Sequence, residues 1–180
     1  MKPAASPSPN DASFEAIYEG ELAWVHRTLR RLGARPADIE DLCHDVFVAV
    51  YRALDRFDHE RPLRPWLFGI AFRVVSDYRS RARFTRERAS AAIDESPAGD
   101  IDPEAALAGA EARALLLRAL DTLPLEQRAV FVAVEIDETP IPELATALGT
   151  SVNTLYSRLR LARARVASAV QSFAHDGGRR

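Results

Sequence analysis

Pro142-Glu143-Leu144-Ala145-Thr146-Ala147-Leu148-Gly149-Thr150-Ser151-Val152-Asn153-Thr154-Leu155-Tyr156-Ser157-Arg158-Leu159 is the stretch on which the reading of this 180-residue chain turns. Leu144, Ala145 and Leu148 give a short helix one apolar face, Gly149 suits the left-handed residue that ends it, and Ser151 suits the N-cap of the next. The stretch predicts a helix-turn-helix. In its second helix Val152, Leu155, Leu159, Ala162 and Val166 fall on one side, which packs that helix down. At about 100° per residue, Asn153, Ser157, Arg160, Leu161 and Ala164 point the other way, with Thr154, Tyr156 and Arg158 on the flanks. Hydroxyl, amide and guanidinium groups on an outward face suit base edges and phosphates. Between Ser157 and Arg165 there are four arginines and no acid, so the helix continues as a basic rod. The competing reading is two ordinary core helices joined by a glycine cap, with a solvated arginine face.

Outward from this stretch, composition sets limits. An apolar content of 47% supports real cores, and the length fits one large or two small domains. The formal charge of -2 says less than its distribution: Arg73 to Arg88 holds six arginines, whereas Ala89 to Glu111 holds six acids and no base. Basic faces are thus separated by an acidic spacer. The single cysteine, Cys43, excludes an internal disulfide, and the composition points to a reducing, cytoplasmic setting. No run approaches ~18 consecutive apolar residues, so no membrane insertion is expected.

Residues 1–12, rich in proline, serine and alanine, read as a disordered leader. Phe14, Ile17, Leu22, Trp24, Val25, Leu29 and Leu32 mark a first amphipathic helix closed by Gly33. After Pro36, a second carries Ile39, Leu42, Val46, Phe47, Val50, Ala53 and Leu54 on one face and Asp38, Glu40, Asp41 and Asp45 on the other. Compensation of the helix dipole explains Asp38 and Glu40, but fades before Asp45. Asp41 and Asp45, beside His44, could hold a metal; no Glu-x-x-His pair exists to complete a bundle site, and no cofactor is expected. Residues 58–64 read as a polar loop ending at Pro65. A third helix then runs from Trp66 through Ile70, Val74 and Tyr78, with Asp77 placed to pair with Arg73 and Arg81. Its aromatic and arginine groups suit either core packing or single-stranded nucleic acid. Residues 89–103 read as a linker, after which helical spacing resumes through Leu107, Leu115 and Leu120. Leu123-Pro124 breaks the chain before a helix over 125–135, and residues 175–180 read as a frayed tail.

Two blocks carry a family resemblance. Asp38-Ile39-Glu40-Asp41-Leu42-Cys43-His44-Asp45-Val46-Phe47-Val48, then Pro65-Trp66-Leu67-Phe68-Gly69-Ile70-Ala71 with Asp77-Tyr78-Arg79, resemble conserved region two of bacterial sigma factors of the extracytoplasmic-function group. Leu123-Pro124-Leu125-Glu126-Gln127-Arg128, then Glu143-Leu144-Ala145 and Gly149 to Leu159, resemble region four. The blocks stand in the family's order.

The resemblance implies an all-α protein of two small helical domains joined by a flexible linker: region two over 13–88 and region four over 104–174. It implies a dissociable subunit without an active site, whose partners are core RNA polymerase, promoter DNA and, commonly in the family, an anti-sigma factor. Glu40, Asp41, Asp45 and Val46 would dock on a coiled coil of the largest polymerase subunit. Asp58, His59, Glu60, Arg61, Leu63 and Arg64 would capture a base flipped from the minus-ten element, with Arg73, Ser76 and Arg79 supporting the melted strand. Ser151, Asn153, Thr154, Tyr156, Ser157, Arg158, Arg160 and Leu161 would read the minus-thirty-five element in the major groove. Arg73 departs from a common asparagine, Tyr156 from a lysine or arginine, and Leu161 from an arginine, so promoter sequence does not transfer from relatives. A duplex-binding repressor using the same turn is the rival class; it leaves the acidic second helix and the Pro65 to Arg83 block unexplained.

Overall fold

A computed structural model describes residues 9–86 and 103–177, and every regular element among them is helical. In the first domain α1 (Pro9–Leu32), α2 (Ile39–Ala53) and α3 (Leu63–Arg86) form a three-helix bundle in which each helix packs on the other two. The reason is the spacing of the apolar residues. Val25, Leu29 and Leu32, then Leu42, Val46 and Val50, then Leu67, Phe68, Ala71 and Val75 recur at helical intervals, and all are buried. Burying each of the larger ones contributes roughly 1.5–3 kcal/mol, enough to hold three helices that would be marginal alone.

The second domain comprises α4 (Pro103–Asp121), α5 (Leu125–Phe131), a π turn (Val132–Ile136), α6 (Ile141–Leu148) and α7 (Val152–Gly177). The long α7 packs on α4, α5 and α6 in turn. At the predicted helix-turn-helix, Gly149 has φ 61° and ψ 39°, and the Thr150 amide donates to the Ala145 carbonyl at 3.0 Å. The Ser151 hydroxyl accepts the Thr154 amide at 3.1 Å. Local chemistry at i to i+3 thus builds the corner as the sequence predicts.

Several boundaries differ from the expectation. Helix α1 starts at Pro9, inside the stretch read as leader, while residues 1–8 lie outside the described part. Helix α3 starts at Leu63, inside the expected loop, because Pro65 falls in a first turn, where a missing N–H costs nothing. Helix α7 reaches Gly177, and Arg118 of α4 lies 4.2 Å over the Phe173 ring near its end. Of the expected linker, only Pro103 lies within the described residues, as the first residue of α4. The helix expected over 125–135 widens into the π turn: Asp137 donates its amide to Val132 at 3.0 Å, Thr139 to Ala133 at 2.8 Å, and Glu138 takes φ 53°.

Candidate nucleic-acid and polymerase interfaces

Helix α7 divides as its pattern dictates. Leu155, Leu159 and Ala162 are buried, whereas Asn153, Ser157, Arg160 and Ala164 are exposed. Tyr156 and Leu161 stand out from the same surface at 57% and 43% exposure, an unfavourable place for large apolar groups unless something covers them. Two of the predicted reading residues also act locally, since Ser151 and Thr154 bond each other through their hydroxyls at 2.8 Å as part of the cap. They set the start of the helix, and Arg158 lies half-buried on its flank. Arg163 bonds Glu135 at 3.0 and 2.6 Å, while Arg160 and Arg165 are exposed.

On α2, Glu40, Asp41 and Asp45 are exposed, and Glu40 meets His26 at 3.2 Å. Val46 corrects the expectation: it is fully buried, on the inner stripe with Leu42 and Val50, so it supports the acidic face from beneath and cannot touch a docked protein. A groove between α2 and α3 adjoins Asp45, lined also by Val48, Arg52, Arg56, Asp77 and Arg81. Among the described residues, no group of three or more His, Cys, Asp or Glu could hold a metal.

The loop before α3 is tied to itself. Asp58 accepts the Glu60 amide at 3.1 Å and pairs with Arg61 at 3.3 Å, while the Arg61 amide donates to the Asp58 carbonyl at 2.9 Å. His59 leans on Phe57 (ring centroids 5.2 Å apart), and Phe57 on Trp66 (4.5 Å), which leaves an aromatic step at the base of the loop. Leu63 is half-buried against the core. Arg64 bonds Glu21 at 3.1 Å and lies 5.9 Å over the buried Trp24 ring, so one of the predicted DNA-contacting cations is held within the domain.

Farther along α3 the expected pairing of Asp77 with Arg73 does not form. Arg73 donates instead to the Gly69 carbonyl at 3.0 Å, and Arg81 donates to the Asp77 carbonyl at 3.4 Å. Ser76 and Arg79 are half-buried. Arg79 lies near enough to Arg128 of the second domain to add like-charge repulsion.

A polar triad that local sequence does not reveal braces this face. The Tyr78 hydroxyl donates to Asp38 at 2.6 Å, and Arg35 Nε reaches Asp38 at 2.9 Å and Tyr78 at 3.0 Å. The Tyr78 bond, ahead of the Arg35 bond, holds the Asp38 carboxyl below its usual range despite an opposing burial effect. Burial, then the bond to Asp38, pushes the Tyr78 phenol up. Asp38 thus ties the start of α2 to α3.

The matches to known proteins follow the same division. The Sigma-70 region 2 family model matches residues 17–85, and the Sigma-70 region 4 model matches residues 113–166. The RNA polymerase sigma factor NccH of Alcaligenes xylosoxydans xylosoxydans is 33% identical, covering 85% of this chain and 87% of that protein. CnrH of Cupriavidus metallidurans is 31% identical, covering 92% and 90%. The extracytoplasmic-function sigma factor SigM of Mycobacterium tuberculosis is 30% identical, covering 86% and 76%. In three dimensions the chain superposes on CnrH, solved with the cytosolic domain of CnrY, with a TM-score of 0.64, 27% identity and 91% coverage of both chains. RpoE of Bartonella quintana, solved with the anti-sigma factor NepR, shares the fold with a TM-score of 0.64 at 20% identity, covering 88% of this chain and 97% of that one.

The chain belongs to the sigma-70 family, in its extracytoplasmic-function group. It is accordingly a transcription initiation factor that acts with core RNA polymerase on promoter DNA. No helix among the described residues is long and apolar enough to cross a membrane.

Proposed function

We propose that this sigma factor reads the minus-thirty-five element as duplex through α7 and the minus-ten element as melted strand through the loop and α3 of the first domain. One observation carries the reading. The capped start of α7 turns Asn153, Tyr156, Ser157, Arg160 and Leu161 outward together, with no acid among them. Such a face fits a major groove, with Arg160 suited to guanine or phosphate and Leu161 to a thymine methyl. Extruding a base costs a few kcal/mol, so the first domain must offer compensating contacts. The aromatic step of Phe57 and Trp66, with His59 against it, offers stacking, and Arg61 of the loop and Arg73 of α3 are exposed cations of the same domain. Arg64 joins them if its bond to Glu21 is exchanged for phosphate.

The exposed carboxylates Glu40, Asp41 and Asp45 form the polymerase-docking face of the same domain. A sequestering anti-sigma factor is part of the reading as well, since both solved relatives are complexes whose partners bind a sigma factor of this fold.

Arg160→Ala tests the placement of α7. Because the side chain is exposed, its loss leaves the fold and polymerase binding intact. Promoter binding by the holoenzyme should weaken about 5- to 30-fold, the equivalent of ~1–2 kcal/mol for one base or phosphate contact. Loss of polymerase binding to the same extent would contradict it.

A further inference from the structure

Along its own sequence α7 carries no acid between Ser157 and Arg165, but the folded chain sets one against it. Glu135, in the π turn (Val132–Ile136), accepts two bonds from Arg163 through a single carboxylate oxygen, from Nε at 3.0 Å and from Nη2 at 2.6 Å. The π turn continues α5, which packs on α7, and so brings together two residues 28 apart in sequence. Widened turns of this kind recur at functional sites. Stability does not account for the pair: the Arg163 and Glu135 side chains are 60% and 32% exposed, and water screens an ion pair so open. What the pair changes is the charge that α7 shows to a polyanion.

The place of Arg163 on the helix says which contact is being withheld. A recognition helix touches base edges with its first residues. Asn153 and Arg163 are ten residues apart, about 15 Å along α7 at ~1.5 Å per residue. The major groove is only ~12 Å wide. With Asn153 at the bases, Arg163 therefore falls at the margin of the groove, where a guanidinium meets phosphate and reads no sequence. Arg160, nearly one turn closer to the start of α7, is exposed on the reading face itself. Each phosphate that a cation neutralises adds affinity for any duplex and steepens the fall of the logarithm of the binding constant with the logarithm of salt by ~0.9. A carboxylate bonded to Arg163 competes with that phosphate and repels it.

We propose that Glu135 is a positioning residue for the reading helix: by bonding Arg163 it holds that cation off the DNA backbone, limits the affinity of α7 for duplex of any sequence, and leaves recognition to the residues nearer the start of the helix. This rests on the reading of α7 proposed above, and Arg160→Ala serves as the separate check on that reading. Glu135→Gln keeps the shape of the side chain and removes its charge, which releases Arg163. Arg163→Ala removes the cation that is released.

The experiment measures binding of the full-length protein, as holoenzyme, to a promoter fragment mapped by run-off transcription and to a scrambled duplex of equal length, each over a range of salt. Glu135→Gln should bind both duplexes about 3- to 10-fold more tightly at ~50 mM salt, with a slope steeper by ~0.9, so that the gain shrinks roughly threefold by ~200 mM. Arg163→Ala alone should change affinity less than about twofold, and in the Glu135→Gln background it should abolish the gain. Thermal melting should be unchanged in all three. An unaltered slope in Glu135→Gln, while Arg160→Ala still weakens promoter binding, would overturn the proposal and leave the reading of α7 standing. So would a gain that survives loss of Arg163, since the carboxylate would then repel DNA directly, or a slope that Arg163→Ala alone flattens by ~0.9, since Arg163 would already sit on phosphate. Weaker binding by Glu135→Gln at unchanged melting would mean that the pair places α7 on the DNA, the opposite of the role assigned. Silence of Arg160→Ala and Glu135→Gln together would strike the reading of α7 and, with it, the role of Glu135.

Discussion

At the scale of single residues, the triad of Arg35, Asp38 and Tyr78 shows how far a local reading goes. Asp38 near the start of a helix is legible as dipole compensation, but its principal partner is a phenol forty residues away, which no local pattern reveals. The depressed carboxyl of Asp38 contributes stability that is present above its unfolded value and is lost as pH falls through its folded value. Tyr78→Phe removes the main cause of that shift. It should therefore cost roughly 1 kcal/mol in urea denaturation at about pH 7, with the loss shrinking at acid pH as Asp38 becomes protonated. A loss that is the same at both pH values would mean that the hydroxyl matters only for packing. Val46 makes the complementary point. The sequence already places it on the apolar stripe with Leu42 and Val50, and its burial leaves Glu40, Asp41 and Asp45 as the exposed members of the proposed docking set.

At the scale of elements, what could be read from sequence was what is held by local bonds. Gly149 and Ser151 announce the corner of the helix-turn-helix because their roles depend on neighbours within a few residues. Ser151→Ala removes the acceptor for the Thr154 amide and should lower the stability of the second domain by about 1 kcal/mol, whereas Ser151→Asp should retain most of it. Thermal melting followed by circular dichroism checks this; equal losses in both variants would show that the hydroxyl does not cap. The π turn was illegible for the opposite reason. Val132 and Ala133 read as ordinary helix and are fully buried, but the widened turn also depends on where Asp137 and Thr139 must go. Pro65 misled by two residues: it read as the end of the loop, yet a first turn accepts it and the helix starts at Leu63.

At the scale of the whole molecule, the all-helical fold class was legible because helical spacing of apolar residues recurs through both matched regions. Their contact was not. Gly69 and Arg128 look ordinary in sequence, and only the folded chain shows one against the Ala147 carbonyl and the other bonded to the end of α1. Docking belongs to this scale too. Asp41→Arg with Asp45→Arg changes exposed side chains, so it should alter folding stability by no more than about 0.5 kcal/mol per site. On the docking proposed above it should nevertheless weaken polymerase association at least ~10-fold, since the charge that this face presents is reversed. Normal assembly by the double variant would remove α2 from the interface. The most direct test of the central claim is run-off transcription over fragmented genomic DNA from the source organism, with purified core RNA polymerase, in the presence and absence of this protein. Discrete transcripts that require the protein, with start sites sharing two upstream elements, are the predicted result. Unchanged, non-specific initiation with the protein present would contradict it.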